Sequence, residues 1–134
     1  GATGRQFAGG FTASALDMAK LTALLAGDGC FEGVRLMDAA SVELMESHGD
    51  QALPGGIYQA LPMRLRFGAY GRERLYYHTG SAYGAYNFLS YDPDTGDGVV
   101  VLTMGADGGK DAYGIYAVCG EISRAVYEAL APGA

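Results

Sequence analysis

The apolar positions of this chain follow a helical rhythm at both ends and a strand rhythm in the middle. Met18, Leu21, Leu24 and Leu25 recur at three- and four-residue intervals, the spacing that lines one face of a helix. Ser14 with Asp17 three positions later supplies an N-terminal cap, and Gly27-Asp28-Gly29 ends the pattern, so a helix is predicted over about residues 15–27. Phe31-Glu32-Gly33-Val34-Arg35-Leu36 reads as a tight turn with a brief extended arm on each side. A second, short helix opens at Asp38, carries Val42, Leu44 and Met45, and ends near His48-Gly49.

From Ile57 the period shortens to two. Leu61, Met63, Leu65 and Phe67 fall on one side and Arg64 and Arg66 on the other, as in a half-buried strand, with Pro62 placing that strand at an edge or bend. Leu75–Thr79, Ala85–Tyr91 and Gly98–Met104 follow as three further strands, the last two joined by the turn Asp92-Pro93-Asp94-Thr95-Gly96-Asp97. Ile115, Val118, Cys119, Ile122, Val126 and Leu130 then predict an amphipathic helix over about residues 112–131. Helices, antiparallel strands, then a helix give an α+β domain: a sheet of about four strands, two N-terminal helices, and a C-terminal helix packed on one face.

Composition narrows the function classes. The 134 residues are 49% apolar, enough to bury a core in a single domain (residues 1–134) without disulfide staples. The 9 Lys+Arg are scattered among 15 Asp+Glu, a net charge of −6, which argues against nucleic acid or an anionic membrane surface as partners. Apolar stretches break off well before the ~18–20 residues of a membrane span, and the missing basic-then-apolar leader at Gly1 gives the expectation that the sequence starts inside a domain. Cys30 and Cys119 have neither zinc nor redox spacing, and His48 and His78 lack a patterned carboxylate partner, so no metal and no cofactor is expected. Gly9-Gly10, Gly55-Gly56 and Gly108-Gly109 read as connections rather than phosphate cradles, Asp17, Asp92 and Asp94 as helix-start and turn residues, and the ten tyrosines as sheet packing.

Several short motifs occur in a telling order: Gly9-Gly10-Phe11 before Ser14-x-x-Asp17, then Gly29-x-Phe31-x-Gly33-x-Arg35-Leu36-Met37, then His78-Thr79-Gly80, then Tyr91-Asp92-Pro93-x-Thr95-Gly96 and a Val-rich strand. This succession resembles the serine β-lactamase and penicillin-binding-protein-like superfamily, nearest its class C β-lactamase, esterase and D-Ala-D-Ala carboxypeptidase branch. It covers the C-terminal part of such a protein. The resemblance implies a partial β-lactamase/transpeptidase-like fold whose members are often periplasmic or secreted. His78-Thr79-Gly80 corresponds to the third family motif, on an edge strand of the cleft. There Gly80 lets substrate approach the backbone, the Thr79 hydroxyl bonds a substrate carboxylate or carbonyl, and the Ser81 N–H points into an oxyanion hole. Histidine in place of the usual lysine exchanges a permanent ammonium for an imidazole, which favours an ester or peptide substrate over a penicillin.

The nucleophile segment is missing. Three residues after Ser14, Ser41, Ser47, Ser81, Ser90 and Ser123 stand Asp17, Leu44, Asp50, Gly84, Pro93 and Val126, so no Ser-x-x-Lys exists. Asn87, the only asparagine, adjoins Tyr86 directly, so Tyr-x-Asn is absent too. The expectation is a C-terminal fragment or truncated relative of a serine hydrolase, inactive alone. It would self-associate, or join an N-terminal partner polypeptide, through an open sheet edge near Val99–Met104. The alternatives are a non-catalytic binding or interaction module that retains the cleft strand, and a gene fragment that merely folds.

Overall fold

A computed structural model describes residues 12–131, so Gly9-Gly10-Phe11 of the first motif lies outside the described residues. The fold is α+β. Helix α1 spans Ala15–Ala26, β1 Cys30–Phe31, β2 Val34–Arg35, α2 Ala39–Glu46, β3 Tyr58–Gln59, β4 Arg64–Phe67, β5 Arg74–Ala82, β6 Ala85–Tyr91, β7 Gly98–Val101 and α3 Ala117–Ala129. β1 and β2 form a two-stranded ribbon, and β3 to β7 form an antiparallel sheet in chain order.

Local chemistry accounts for most of these elements. Ser14 Oγ accepts from the Asp17 N–H at 3.2 Å while the Asp17 carboxylate accepts from the Ser14 N–H at 3.2 Å, the reciprocal cap that starts α1. The ribbon turns through Glu32 and Gly33, both at positive φ (49° and 79°), the conformation whose twist matches a two-residue hairpin.

The sheet separates two apolar layers, because alternate residues of one strand face opposite ways. Leu75 and Tyr77 of β5, Phe88 of β6 and Val99 and Val101 of β7 pack with Cys119 and Tyr127 of α3 and with Ile115. Tyr76 and Tyr91 pack on the other face with Leu65, Met63 and Leu25 of α1. Tyrosine hydroxyls reaching the layer boundaries find partners: Tyr91 donates to Glu46 Oε1 at 2.8 Å, Tyr76 to the Glu46 carbonyl at 3.2 Å, and Tyr127 shares a 2.9 Å bond with Ser90 Oγ. Burial leaves the Glu46 carboxyl above its ordinary range and pushes the Tyr127 hydroxyl up to about 12.

Five details depart from the sequence pattern. Among the described residues the sheet has five strands rather than about four, because the segment 57–67 folds back on itself as β3 and β4 with Pro62 in the connection. Its faces also differ from the alternation, since Leu61 and Phe67 are exposed and Arg66 is buried. Helix α3 begins at Ala117, not near 112, and Ile115 reaches the core from the preceding loop. Its buried line is Cys119, Ser123 and Tyr127, while Ile122, Val126 and Leu130 stay partly exposed. The larger Tyr127 ring, fixed through its hydroxyl to Ser90, rotates the helix relative to its aliphatic stripe. β7 ends at Val101, and the pairing past it passes to side chains, with the Thr103 N–H donating to Asn87 Oδ1 at 3.1 Å.

No helix among the described residues is long and apolar enough to cross a membrane.

Candidate functional site

β5 is the longest strand and has two unlike halves. Arg74, Leu75, Tyr76 and Tyr77 are paired on both sides, to β4 and to β6. β4 ends its pairing at Arg64 opposite Tyr77, whereas β6 continues through Ala85 opposite Ala82. His78, Thr79, Gly80, Ser81 and Ala82 are therefore an interior strand on one side and, among the described residues, a free edge on the other. The resemblance places His78-Thr79-Gly80 on an edge strand; in the structure the edge is only this second half of β5, since the first half is paired on both sides.

Burial follows the same division. Leu75, Tyr76 and Tyr77 are buried, but His78, Gly80 and Ser81 are exposed and Thr79 is half-buried. The strand closes through Tyr83 and Gly84, at φ 52° and 81°, a tight hairpin whose Tyr83 side chain stands in solvent.

On the α1 face of β5, β6 and β7 lies an open cavity of about 290 Å³, lined by His78, Thr79 and Gly80 together with Asn87, Leu89 and Val100 of β6 and β7, and capped by Met18 of α1. His78 pairs across the sheet with Leu89, which packs on the α1 side, and Thr79 pairs with Phe88, which packs under α3. The imidazole and the threonine side chain thus stand on opposite faces of the sheet. An extended ligand lying along the edge would have His78 on one flank and Thr79 on the other, with the backbone between. Three of the four sequence-predicted residues gather at the cavity, and Ser81 lies past it on the hairpin arm, opposite Tyr86.

Sequence reasoning treated Asn87 only as a missing motif, yet it shares this cavity while its Oδ1 holds the Thr103 amide. Its position opposite Gly80, the one residue of β5 without a side chain, is the signal that could have found it. His48 is not at the cavity; its ring sits edge-on to Tyr58 at 5.1 Å and to Phe67 at 6.4 Å. Among the described residues no group of three or more His, Cys, Asp or Glu side chains is placed to hold a metal ion.

The cavity sits on rigid foundations. The loop Asp92–Asp97 that follows β6 is held by Arg72, whose Nη1 donates to Asp97 at 2.8 Å, Thr95 at 3.2 Å and Asp92 at 3.4 Å, and whose Nη2 donates to the Tyr127 carbonyl at 3.0 Å. Arg74 grips Asp94 through two nitrogens on the outside of the same loop. This double clamp fixes β5 and β6 upstream of the half that is left free. Comparison of the chain with family models, with curated proteins and with solved structures finds no match in any of the three.

Proposed function

We propose that this chain is the cleft-strand part of a β-lactamase-like acyl-transfer protein, a partial β-lactamase/transpeptidase-like fold that positions an ester or peptidyl substrate but brings no nucleophile of its own. The observation carrying this reading is that β5 loses its β4 partner past Tyr77, immediately before His78-Thr79-Gly80, residues that also line an open cavity on the α1 face of the sheet. An extended substrate added to that edge would be held by main-chain hydrogen bonds, and Gly80 removes the side chain that would keep it away. The resemblance assigns the Ser81 N–H to the developing oxyanion and His78 and Thr79 to substrate orientation.

The acyl-accepting serine and its lysine base would come from a separate segment. Serine Oγ would attack the substrate carbonyl while its proton passes to the lysine amine, the alcohol or amine would leave protonated, and water would release the acyl group. That segment would join at the outer edge of β7, the last strand of the sheet among the described residues, or a second copy of the chain would occupy it. Light scattering at high concentration that finds only monomer would remove the self-association arm.

The decisive test combines turnover and binding. The purified chain is offered a chromogenic short-chain ester and a cephalosporin, then a serine-reactive phosphonate followed by intact mass, while amide shifts of residues 78–82 are monitored with a capped tripeptide. No turnover, no adduct, and shifts confined to the free edge that His78→Ala or Gly80→Val abolishes would support the reading. Turnover with one stoichiometric adduct would mean a nucleophile within the chain, and an edge that ignores the peptide would remove the cleft. The absence of lysine three residues after every serine favours a second reading, a pure binding module. Adding a Ser-x-x-Lys polypeptide separates the two, since only the first gains turnover.

A further inference from the structure

Among the described residues, Arg66 is a buried cation without a counter-ion. It lies in the middle of β4 opposite Leu75, with only 8% of its surface exposed. All fifteen acidic side chains of the sequence fall within the described residues, and none lies within ion-pairing distance of it; the pairs formed among the described residues are Lys20–Asp17, Arg72–Asp92, Arg72–Asp97 and Arg74–Asp94. Nη1 donates to the Gly55 carbonyl. Among the described residues, Nε is buried with no partner and Nη2 has no acceptor. The side-on edge of the guanidinium, Nε with Nη2, is the edge that binds two oxygens of one carboxylate, and here it has no acceptor among the described residues.

The surroundings are built from residues without side chains. A Cβ at Gly55, Gly56 or Gly114 would stand 3.5–3.7 Å from a guanidinium nitrogen, and the Tyr113 ring centroid lies 5.8 Å from Cζ. Gly55 and Gly56 are exposed, so the cation lies just below the surface under bare backbone. An isolated buried charge is costly, and a bound anion is the direct way to offset it.

We propose that the Nε/Nη2 edge of Arg66 is the binding site for a single carboxylate group, entering between the Gly55-Gly56 turn and the Tyr113-Gly114 loop. A carboxylate fits better than a phosphate dianion, because one guanidinium neutralises one charge and the chain already carries a net −6. The site stands on the Leu75 side of the sheet, under the α3 layer, whereas His78 faces the α1 side. It is independent of the cleft proposal.

The test follows the Arg66 Nε–H resonance of the full chain during titration with sodium acetate, with sodium chloride at matched ionic strength as the reference. A second arm compares N-acetylglycylglycine with its amide, which separates a free small carboxylate from a peptide C-terminus. A saturable acetate shift, weakened about tenfold or more in Arg66→Lys through loss of the planar fork, supports the site. Preference for the peptide acid over both acetate and the amide assigns it to chain ends, and equal binding of acetate assigns it to small acids. Acetate and chloride acting alike, or an acetate shift unchanged in Arg66→Lys, would overturn the proposal and leave only water to satisfy Nε.

Discussion

Arg72 and Arg66 are buried to nearly the same extent, 7% and 8% exposed, and the fold treats them in opposite ways. Arg72 meets two carboxylates, a hydroxyl and a helix-end carbonyl, and its guanidinium lies 4.7 Å from the centre of the Tyr127 ring. Arg66 meets one carbonyl, and its buried Nε has no acceptor among the described residues. Burial alone therefore does not say whether a cation holds the fold together. The partner list does: Arg72 ties three segments into one body, whereas Arg66 touches two glycine turns that would close over an apolar side chain equally well.

The contrast is broken most directly by neutralising each cation without changing its volume much. Arg72→Met strands Asp92, itself only 3% exposed, as an unpaired buried carboxylate, and should lower stability by about 3–5 kcal/mol in urea unfolding at neutral pH. Arg66→Met removes an uncompensated charge and inserts an apolar stem under bare backbone. Its unfolding free energy should stay within about 1 kcal/mol of the parent or rise. Equal losses in the two variants would mean that Arg66 has a structural partner in solution, and the distinction between the two sites would go.

Tyr127 sharpens the Arg72 side, because its carbonyl and ring both belong to that clamp while its hydroxyl satisfies the fully buried Ser90. Tyr127→Phe should cost about 1–3 kcal/mol at pH 7, the penalty of leaving a buried hydroxyl without its partner. The cost depends on pH in a stated direction. The folded chain raises this hydroxyl from 10.0 to about 12, so its contribution is complete below about 10 and is lost as pH rises through about 12. The gap between parent and variant should close over that window, as read by unfolding at a series of alkaline pH values; a gap that stays constant would place the stabilisation in ring packing instead.

What the sequence discloses follows the same division between local and assembled interactions. The Ser14-Asp17 cap, the turn at Glu32-Gly33 and the Asp92–Asp97 connection are decided within six residues of chain, and each forms as the pattern implies. Helix α3 shows its period correctly but not its orientation, because Tyr127 and Ser123 outcompete Val126 and Ile122 only once Ser90 and β6 stand opposite. Arg66 is the sharpest failure: alternation puts it with Arg64 on the solvent side, yet loops near residues 55 and 114 fold over it. The candidate site was half legible, since His78-Thr79-Gly80 is visible as a motif. The free edge, by contrast, exists because β4 stops at Arg64, and nothing in residues 78–82 encodes that.

The smallest expected effect concerns Arg74 and Asp94, which form a two-nitrogen grip on the same loop that Arg72 holds from beneath. The Arg74 guanidinium holds the Asp94 carboxyl below its usual range. That direction means a contribution present above the ordinary carboxylate pKa and lost as pH falls. Both side chains are more than a third exposed, however, so water and salt screen the attraction in the folded state. Asp94→Asn should accordingly leave the thermal midpoint at pH 7 within error of the parent, in low salt and in high. A drop comparable to that of Arg72→Met would show the loop to be held from outside. Partner identity, not desolvation, would then separate Arg72 from Arg66, and Arg66→Met would have to be read as the loss of a ligand site alone.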